Sequence, residues 1–318
     1  MKRKSIFASV IGVLVLLACT PVYVIQAQEN STGIDPKNVS LLELCDNIQE
    51  DWIDNAGEVK RIYVCAHRAN TSSGIRKGMP DNSIPNIRQA IAAGADMVEL
   101  DVRTTSDGEL VLMHNESIDA TTNGRGKVSD LTLAQIKSYQ MKRGDAIYRD
   151  EQNQTTAVPT LLEALLETKD KIYVNLDLSG KGNSPSKVFA VIKEAGVEDQ
   201  VMLYAGNEIE EYQKLNPLIA VHPYIGSVSA LSSYSSMLGA KLFQYSNSIY
   251  IDRTVEHFGT EVHKQGYLSY SNLLDSYDTS LKNGDYSPLD AFIDSGSDFV
   301  QTDVAELVIS YLEAKGLR

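Results

Sequence analysis

Short apolar runs alternate with amphipathic segments along almost the whole chain, and this alternation constrains the fold more than any other feature. Strand-like runs fall at 61–66, 97–102, 172–178, 200–205, 219–225, 241–250, 267–271 and 298–301. Segments with helical spacing fall between or after them, at 83–93, 131–139, 161–168, 187–195, 256–265, 288–295 and 304–314. A further short strand, 109–114, follows the Asp107-Gly108 turn. Alternation of this kind predicts parallel strands joined by right-handed crossovers. About eight repeats predict a closed α/β barrel, (β/α)8, over an open sheet. No glycine-rich dinucleotide loop or phosphate loop follows the first strand, which weighs against a doubly wound sheet. The apolar residues Leu41, Leu42, Leu44, Ile48, Trp52 and Ile53 repeat at helical spacing, so an N-terminal helix is expected beneath the barrel with Trp52 in its core. The polar stretch 141–158 is expected as a small insertion above the barrel mouth.

In such a barrel, chemistry is done at the C-terminal ends of the strands. His67-Arg68, Asp81-Asn82, Glu99-Leu100-Asp101 and His114-Asn115 all fall at or just after expected strand ends. Glu99 and Asp101 stand two apart on one strand, so both side chains share a face, while Val98, Leu100 and Val102 point toward the helices. Two carboxylates side by side repel unless a cation lies between them. Asp177 offers a third, sharing a strand face with Asn175. Three carboxylates suit a hard, oxygen-seeking cation, Mg2+ or Ca2+, better than zinc, which more often recruits histidine or cysteine. Histidine titrates near neutrality, so His67 and His114 can act as an acid–base pair. The planar fork of Arg68 suits phosphate oxygens. Asn82 is expected in support, hydrogen-bonding a histidine or a phosphate oxygen. His222 is expected to line the pocket, and His257 and His263 to lie on solvated helix faces. Together these parts point to metal-assisted cleavage of a small-molecule phosphate ester.

The formal charge of −13 argues against general affinity for nucleic acid and against adsorption to anionic membranes. An acidic protein that handles phosphate needs a local positive centre, and a divalent cation is the simplest one. At the N-terminus, Lys2, Arg3 and Lys4 precede an apolar stretch from Ile6 to Cys19, and Ala27 offers a cleavage point. Residues 1–27 are therefore expected as an export signal, residues 28–58 as an extension carrying the first helix, and 59–318 as the barrel. The run Leu16-Leu17-Ala18-Cys19 also resembles a lipoprotein box, and a lipid on Cys19 is the one membrane contact expected. Either cleavage removes three positive charges and moves the mature chain from −13 to −16. The expected location is outside the cytoplasm, periplasmic or extracellular. An oxidising compartment permits a Cys45–Cys65 bridge, but two separate buried thiols are the expectation. Oligomeric state has no signal here.

The order of these motifs resembles the glycerophosphodiester phosphodiesterase family. The family pattern His-Arg-Gly, Pro-Glu-Asn, Glu-x-Asp and His-Asp is similar to His67-Arg68-Ala69, Pro80-Asp81-Asn82, Glu99-Leu100-Asp101 and His114-Asn115. Further similarities are Thr121-Thr122-Asn123-Gly124-Arg125-Gly126 followed by Leu131-Thr132, then Val158-Pro159-Thr160-Leu161, and Gln301-Thr302-Asp303 near the end. The resemblance implies a TIM barrel with one divalent metal, hydrolysing a glycerophosphodiester to sn-glycerol 3-phosphate and an alcohol. By position it implies Glu99, Asp101 and Asp177 as metal ligands, His67 and His114 as acid and base, and Arg68 as a phosphate contact. Several positions depart from the pattern. Ala69 replaces glycine, Asn115 replaces aspartate, and Asp177 stands where glutamate is usual. Ser179 stands where a phosphate-binding lysine is usual, and Ser269 where a tryptophan is. These departures keep two alternatives open: a phospholipase-type enzyme acting on lysophospholipid or phosphoinositol headgroups, and a phosphate-binding protein with weakened catalysis.

Overall fold

In a computed structural model describing residues 36, 38–246 and 257–318, eight strands form a nearly closed parallel barrel. The expected export signal, Cys19 and the end of the strand expected at 241–250 lie outside the described residues. The strands are β1 (Tyr63–Ala66), β2 (Met97–Thr104), β3 (Leu110–Leu112), β4 (Lys142–Arg143), β5 (Ala146–Ile147), β6 (Tyr173–Asp177), β7 (Val201–Tyr204), β8 (Ala220–Val221), β9 (Leu242–Tyr245), β10 (Leu268–Asn272) and β11 (Phe299–Thr302). The helices are α1 (Leu41–Asp54), α2 (Ser72–Arg76), α3 (Ile84–Ala92), α4 (Leu133–Lys137), α5 (Leu161–Thr168), α6 (Pro185–Ala195), α7 (Ile209–Leu215), α8 (Phe258–His263), α9 (Ser276–Lys282), α10 (Ser287–Asp294) and α11 (Ala305–Lys315).

The staves run in the order β8-β7-β6-β2-β1-β11-β10-β9, all parallel. Single bridges, Val221↔Ala240 and Tyr224↔Gln244, close the ring between β8 and β9. The strand expected at 109–114 is not a stave: β3 turns back antiparallel on the outer end of β2. No helix among the described residues is long and apolar enough to cross a membrane.

Strand parity sorts the side chains into two layers. Val64, Ala66, Val98, Leu100, Val102, Val174 and Leu176 face outward and join the helices in the larger core. Tyr63, Cys65, Met97, Tyr173, Leu268, Tyr270 and Phe299 face inward and fill the bottom of the barrel. Helix α1 closes that end with Leu41, Leu44, Cys45 and Ile48. Fully burying one such leucine or isoleucine stabilises by about 1.5–3 kcal/mol. The outer helices are fixed by local chemistry. Ser83 caps α3 ahead of Pro85, Thr160 and Glu163 form a reciprocal capping box on α5, and Gly196 ends α6 in the left-handed conformation. Cys45 and Cys65 are both buried and free, as expected.

The insertion is larger than expected. Met113, Ile118, Val128 and Ile136 share one small core with Met141 and Val158, so the segment folding over the mouth begins near Met113 rather than at 141.

Two histidines depart from their expected places. His263 is buried, not solvated. Its Nε2 lies 2.8 Å from Asp298 Oδ1, its Nδ1 lies 2.7 Å from Gln49 Oε1, and its ring stacks on Trp52 at 4.7 Å. The last residue of α8 thus ties the barrel to α1. His257 is exposed. His222 does not line the pocket. It sits inside the barrel with Nε2 2.8 Å from Asn175 Oδ1, while its buried Nδ1 has no partner among the described residues.

Burial pulls the His222 pKa down from 6.5 to about 3. Its folded pKa is depressed, so below pH 6.5 the unfolded chain binds a proton that the folded chain refuses. Stability is therefore lost as pH falls from about 6.5 toward about 3, by about 1.4 kcal/mol per pH unit from this group. A His222→Gln protein, which keeps a donor for Asn175, should lose that part of the acid dependence. Urea denaturation at pH 6 and at pH 4 checks it, and equal slopes for the two proteins would count against it.

Candidate active site

Register brings the acidic residues together. Along β2 and β6, Glu99 pairs with Asn175 and Asp101 with Asp177. All four share the inward parity of Met97 and Tyr173, one and two steps higher. Hence Asp101 and Asp177 stand side by side at the mouth, with Glu99 one layer below Asp101. Carboxylate oxygens of the three lie within 4.8 Å of one another. On the other side of β2, Ala66 pairs with Val98, so His67 emerges level with Glu99. Ala66 also pairs with Thr302 of β11, which sets Asp303 beside His67.

Each carboxylate has a different environment. Glu99 is buried, and desolvation first, then the charge of Asp101, pushes its pKa up to about 8. Asp101 is deeper still by exposure, at 1%. Burial would raise it, but the Lys181 ammonium outweighs burial with help from Asn82, and its pKa is held low. Asp177 is partly exposed at the rim.

Asn82 is hydrogen-bonded to Asp101 rather than to a histidine. Its Nδ2 donates to Asp101 Oδ2 at 2.8 Å, and its Oδ1 accepts from the Asp101 backbone N–H at 3.0 Å. It clamps one acidic residue from both sides, from a left-handed backbone position (φ 56°) that asparagine tolerates well. Arg68 and Ala69 are also left-handed, at φ 50° and 60°. This turn aims the Arg68 backbone N–H at Glu99 Oε2, 2.9 Å away. It also explains why glycine is usual at the position of Ala69. The Arg68 guanidinium lies over the cluster, 3.4 Å from both Asp101 Oδ2 and Asp81 Oδ2.

His67 donates its Nδ1–H to Asp303 Oδ1 at 2.9 Å, with Nε2 3.9 Å from Glu99. Burial lowers its pKa, but the Asp303 bond and the Glu99 charge prevail and the net shift is upward. His114 lies exposed at the mouth, close enough for its charge to act on Asp101. Its Nδ1 is 2.8 Å from Asn115 Oδ1, so the neutral amide supplies the contact an aspartate would.

Three side chains at the site carry no signal of their own in the sequence. Asp303 sits in a motif whose pattern does not show its partner, His67. Lys181 follows Ser179 by two residues, and a turn through Gly180 (φ +65°) and Gly182 (φ +69°) brings it back. Its Nζ lies 2.7 Å from Asp101 Oδ1 and 2.6 Å from Asp177 Oδ2. A lysine is therefore present although Ser179 is not one. Arg143, from the β4–β5 hairpin, pairs with Asp81 and bonds Asn70 Oδ1, which fastens the insertion to the mouth. A cavity of about 250 Å3 opens there between Arg68, Asn82, His114, Asn115, Met141 and Arg143. A larger cleft of about 530 Å3 lies elsewhere, between α3 and residues 148–152, without the acidic cluster. Ser269 is remote from all this. It lies on the outward face near the start of β10, bonded to Asp298 at the barrel bottom.

Comparison with known proteins agrees with this geometry. The model of the Glycerophosphoryl diester phosphodiesterase family matches residues 67–220. A glycerophosphodiester phosphodiesterase of Caldanaerobacter subterraneus is 35% identical over 168 residues, covering 51% of this chain and 65% of that protein. Human glycerophosphodiester phosphodiesterase 1 is 39% identical over 128 residues, covering 40% of this chain and 37% of that protein. The chain thus spans less than two-thirds of the length of these curated relatives. Among solved structures, a glycerophosphodiester phosphodiesterase from Agrobacterium tumefaciens superimposes with a TM-score of 0.60 at 21% identity, over 78% of this chain and 99% of that one. An Oleispira antarctica phosphodiesterase, solved in complex with the product sn-glycerol-3-phosphate, gives 0.59 at 23% identity, over 79% and 96%. At these identities the superpositions establish the barrel. The family match over residues 67–220 and the curated relatives make the chain similar, in sequence and in fold, to the glycerophosphodiester phosphodiesterase family.

Proposed function

We propose that the protein hydrolyses glycerophosphodiesters to sn-glycerol 3-phosphate and an alcohol, using one divalent cation, Mg2+ or Ca2+, and the histidine pair His67 and His114. The observation that carries this reading is the register of Asp101 with Asp177 above Glu99, with His67 and Arg68 on the neighbouring strand. The donor set fits such a cation: three carboxylates converge, with oxygen as the only ligand type. Lys181 supports the fit, because a positive group already sits among them. When bound, the cation would offset negative charge growing on the phosphoryl oxygens.

The chain's own groups would do the rest. Arg68 contributes a planar donor fork over the cluster and orients the phosphate. One histidine takes a proton from the nucleophile and the other gives a proton to the departing alkoxide; water as nucleophile gives sn-glycerol 3-phosphate directly, and a neighbouring hydroxyl of the substrate gives a cyclic phosphate that water must then open. Asp303 and Asn115 hold the two Nδ1 atoms, which leaves each Nε2 for proton transfer. The product complex of the Oleispira relative supports sn-glycerol 3-phosphate as the product. The N-terminal pattern supports export, with Cys19 as a lipid anchor where lipoprotein processing operates.

The test is a panel of soluble glycerophosphodiesters and micellar lysophospholipids, each with Mg2+, with Ca2+ and with chelator, assayed for glycerol 3-phosphate from the diesters and for lysophosphatidate or its cyclic phosphate from the micelles. Metal-dependent release from a soluble diester is expected. Release from micelles alone would shift the reading to a phospholipase, and release from none would overturn it. Asn82→Ala should weaken divalent-metal affinity by about 10–100-fold, because Asp101 loses both of its clamps. Calorimetric titration checks it, with unchanged affinity as the contrary result.

A further inference from the structure

We propose that Lys181 is an internal counter-cation that the divalent metal displaces, and that the released ammonium then contacts the substrate phosphate. This rests on the metal reading above. Asp101 Oδ2 is taken by Asn82 Nδ2, so Oδ1 is the oxygen left for a metal. Asp177 Oδ1 accepts from the Ser179 backbone N–H at 3.0 Å, so Oδ2 is the one left there. Lys181 Nζ contacts those same two oxygens, at 2.7 and 2.6 Å. An ammonium in that position fills the space between them, where a hard cation would need to sit about 2.0–2.6 Å from each. The two cations therefore exclude one another.

The means of exchange is built in. The lysine side chain is 6% exposed, so it is sequestered while it balances the carboxylates. It is flanked by Gly180 and Gly182, both left-handed, and around each of them the space where a side chain would start is open. A flexible four-carbon stem between two such hinges can carry the ammonium a few ångströms without disturbing β6. Released beside the metal, it supplies a second positive charge where the phosphate docks. Ser179 then needs no lysine of its own.

Two measurements on the full chain test this. In wild-type protein, acetic anhydride labelling of Lys181 is followed by peptide mass spectrometry in chelator and at saturating Ca2+ or Mg2+. Labelling should rise on metal addition, because the amine leaves its ion pairs. In Lys181→Met protein, calorimetry should show metal affinity increased by about 5–150-fold, the usual size of coupling between two sites. The same variant should turn over more slowly at saturating metal. Labelling that stays level or falls when metal binds would overturn the exchange, as would unchanged or weaker affinity in the variant. If wild-type protein bound neither metal, the functional reading itself would fall. If it bound metal and hydrolysed diester while labelling stayed level, only the lysine exchange would fall.

Discussion

Replacing His67 or His114 by alanine should lower any turnover of glycerophosphodiesters by about 10²–10⁴-fold, the usual scale for loss of a proton-transferring group. The two rings are held differently, so their variants should be told apart. His67 is tied to Asp303, while His114 is exposed and held by a neutral amide. Asp303→Asn should therefore slow the reaction while leaving the imidazole in place, whereas Asn115→Ala should do less. Asp303 is itself fixed from below. Its backbone N–H donates at 3.0 Å to buried Asp278, and Asp278 also accepts from Thr302 Oγ1 at 2.5 Å. Steady-state kinetics at saturating metal, on proteins with unaltered circular dichroism, checks these effects. Undiminished turnover in either alanine protein would remove that ring from the chemistry.

Asp298→Ala should lower folding stability by about 3–5 kcal/mol, the cost of removing one member of a buried polar pair. Asp298 and His263 have no exposed side-chain surface. One oxygen of Asp298 meets His263, and the other accepts from the Ser269 backbone N–H at 2.8 Å and its hydroxyl at 3.0 Å. Alanine would leave three polar groups at the barrel bottom without their acceptor, and would loosen α1, which is tied to His263 through Gln49 and Trp52. Domains of ordinary stability have about 5–15 kcal/mol in total, so the variant should unfold at visibly lower urea concentration. A change under about 1 kcal/mol would show that the knot at the bottom is not a major tie. The site lies at the opposite end, so the folded fraction should still bind metal.

Much of this was legible in the sequence where local pattern and fold agree. Glu99, Leu100 and Asp101 show their faces by parity alone, and the runs of valine and leucine around them identify a central strand. What was hidden depends on contacts between distant segments. Lys181 reads as a loop residue until Gly180 and Gly182 fold it back onto two strands. Arg143 belongs to a polar stretch whose position over the mouth is set by a separate small core. His263 carries helical spacing on a short helix, and only its contact with α1 shows that it is buried. Helices α2, α7 and α9 went unread because they are short, at 5, 7 and 7 residues, and rich in polar side chains. Tertiary packing rather than propensity holds segments of that length. The antiparallel β3 shows the same limit from the other side, since a run of apolar residues marks a strand without saying which edge it joins.

Hydrolysis is expected to require one cation, held by three carboxylates from two strands. The most direct measurement follows glycerol 3-phosphate release from a soluble diester in wild-type protein stripped by chelator and then titrated with Mg2+ or Ca2+, beside the same titration of Asp101→Asn. The expected result is no release in chelator, recovery that saturates at one cation per chain, and little recovery in the variant. Full turnover in chelator, or equal recovery in Asp101→Asn, would contradict it.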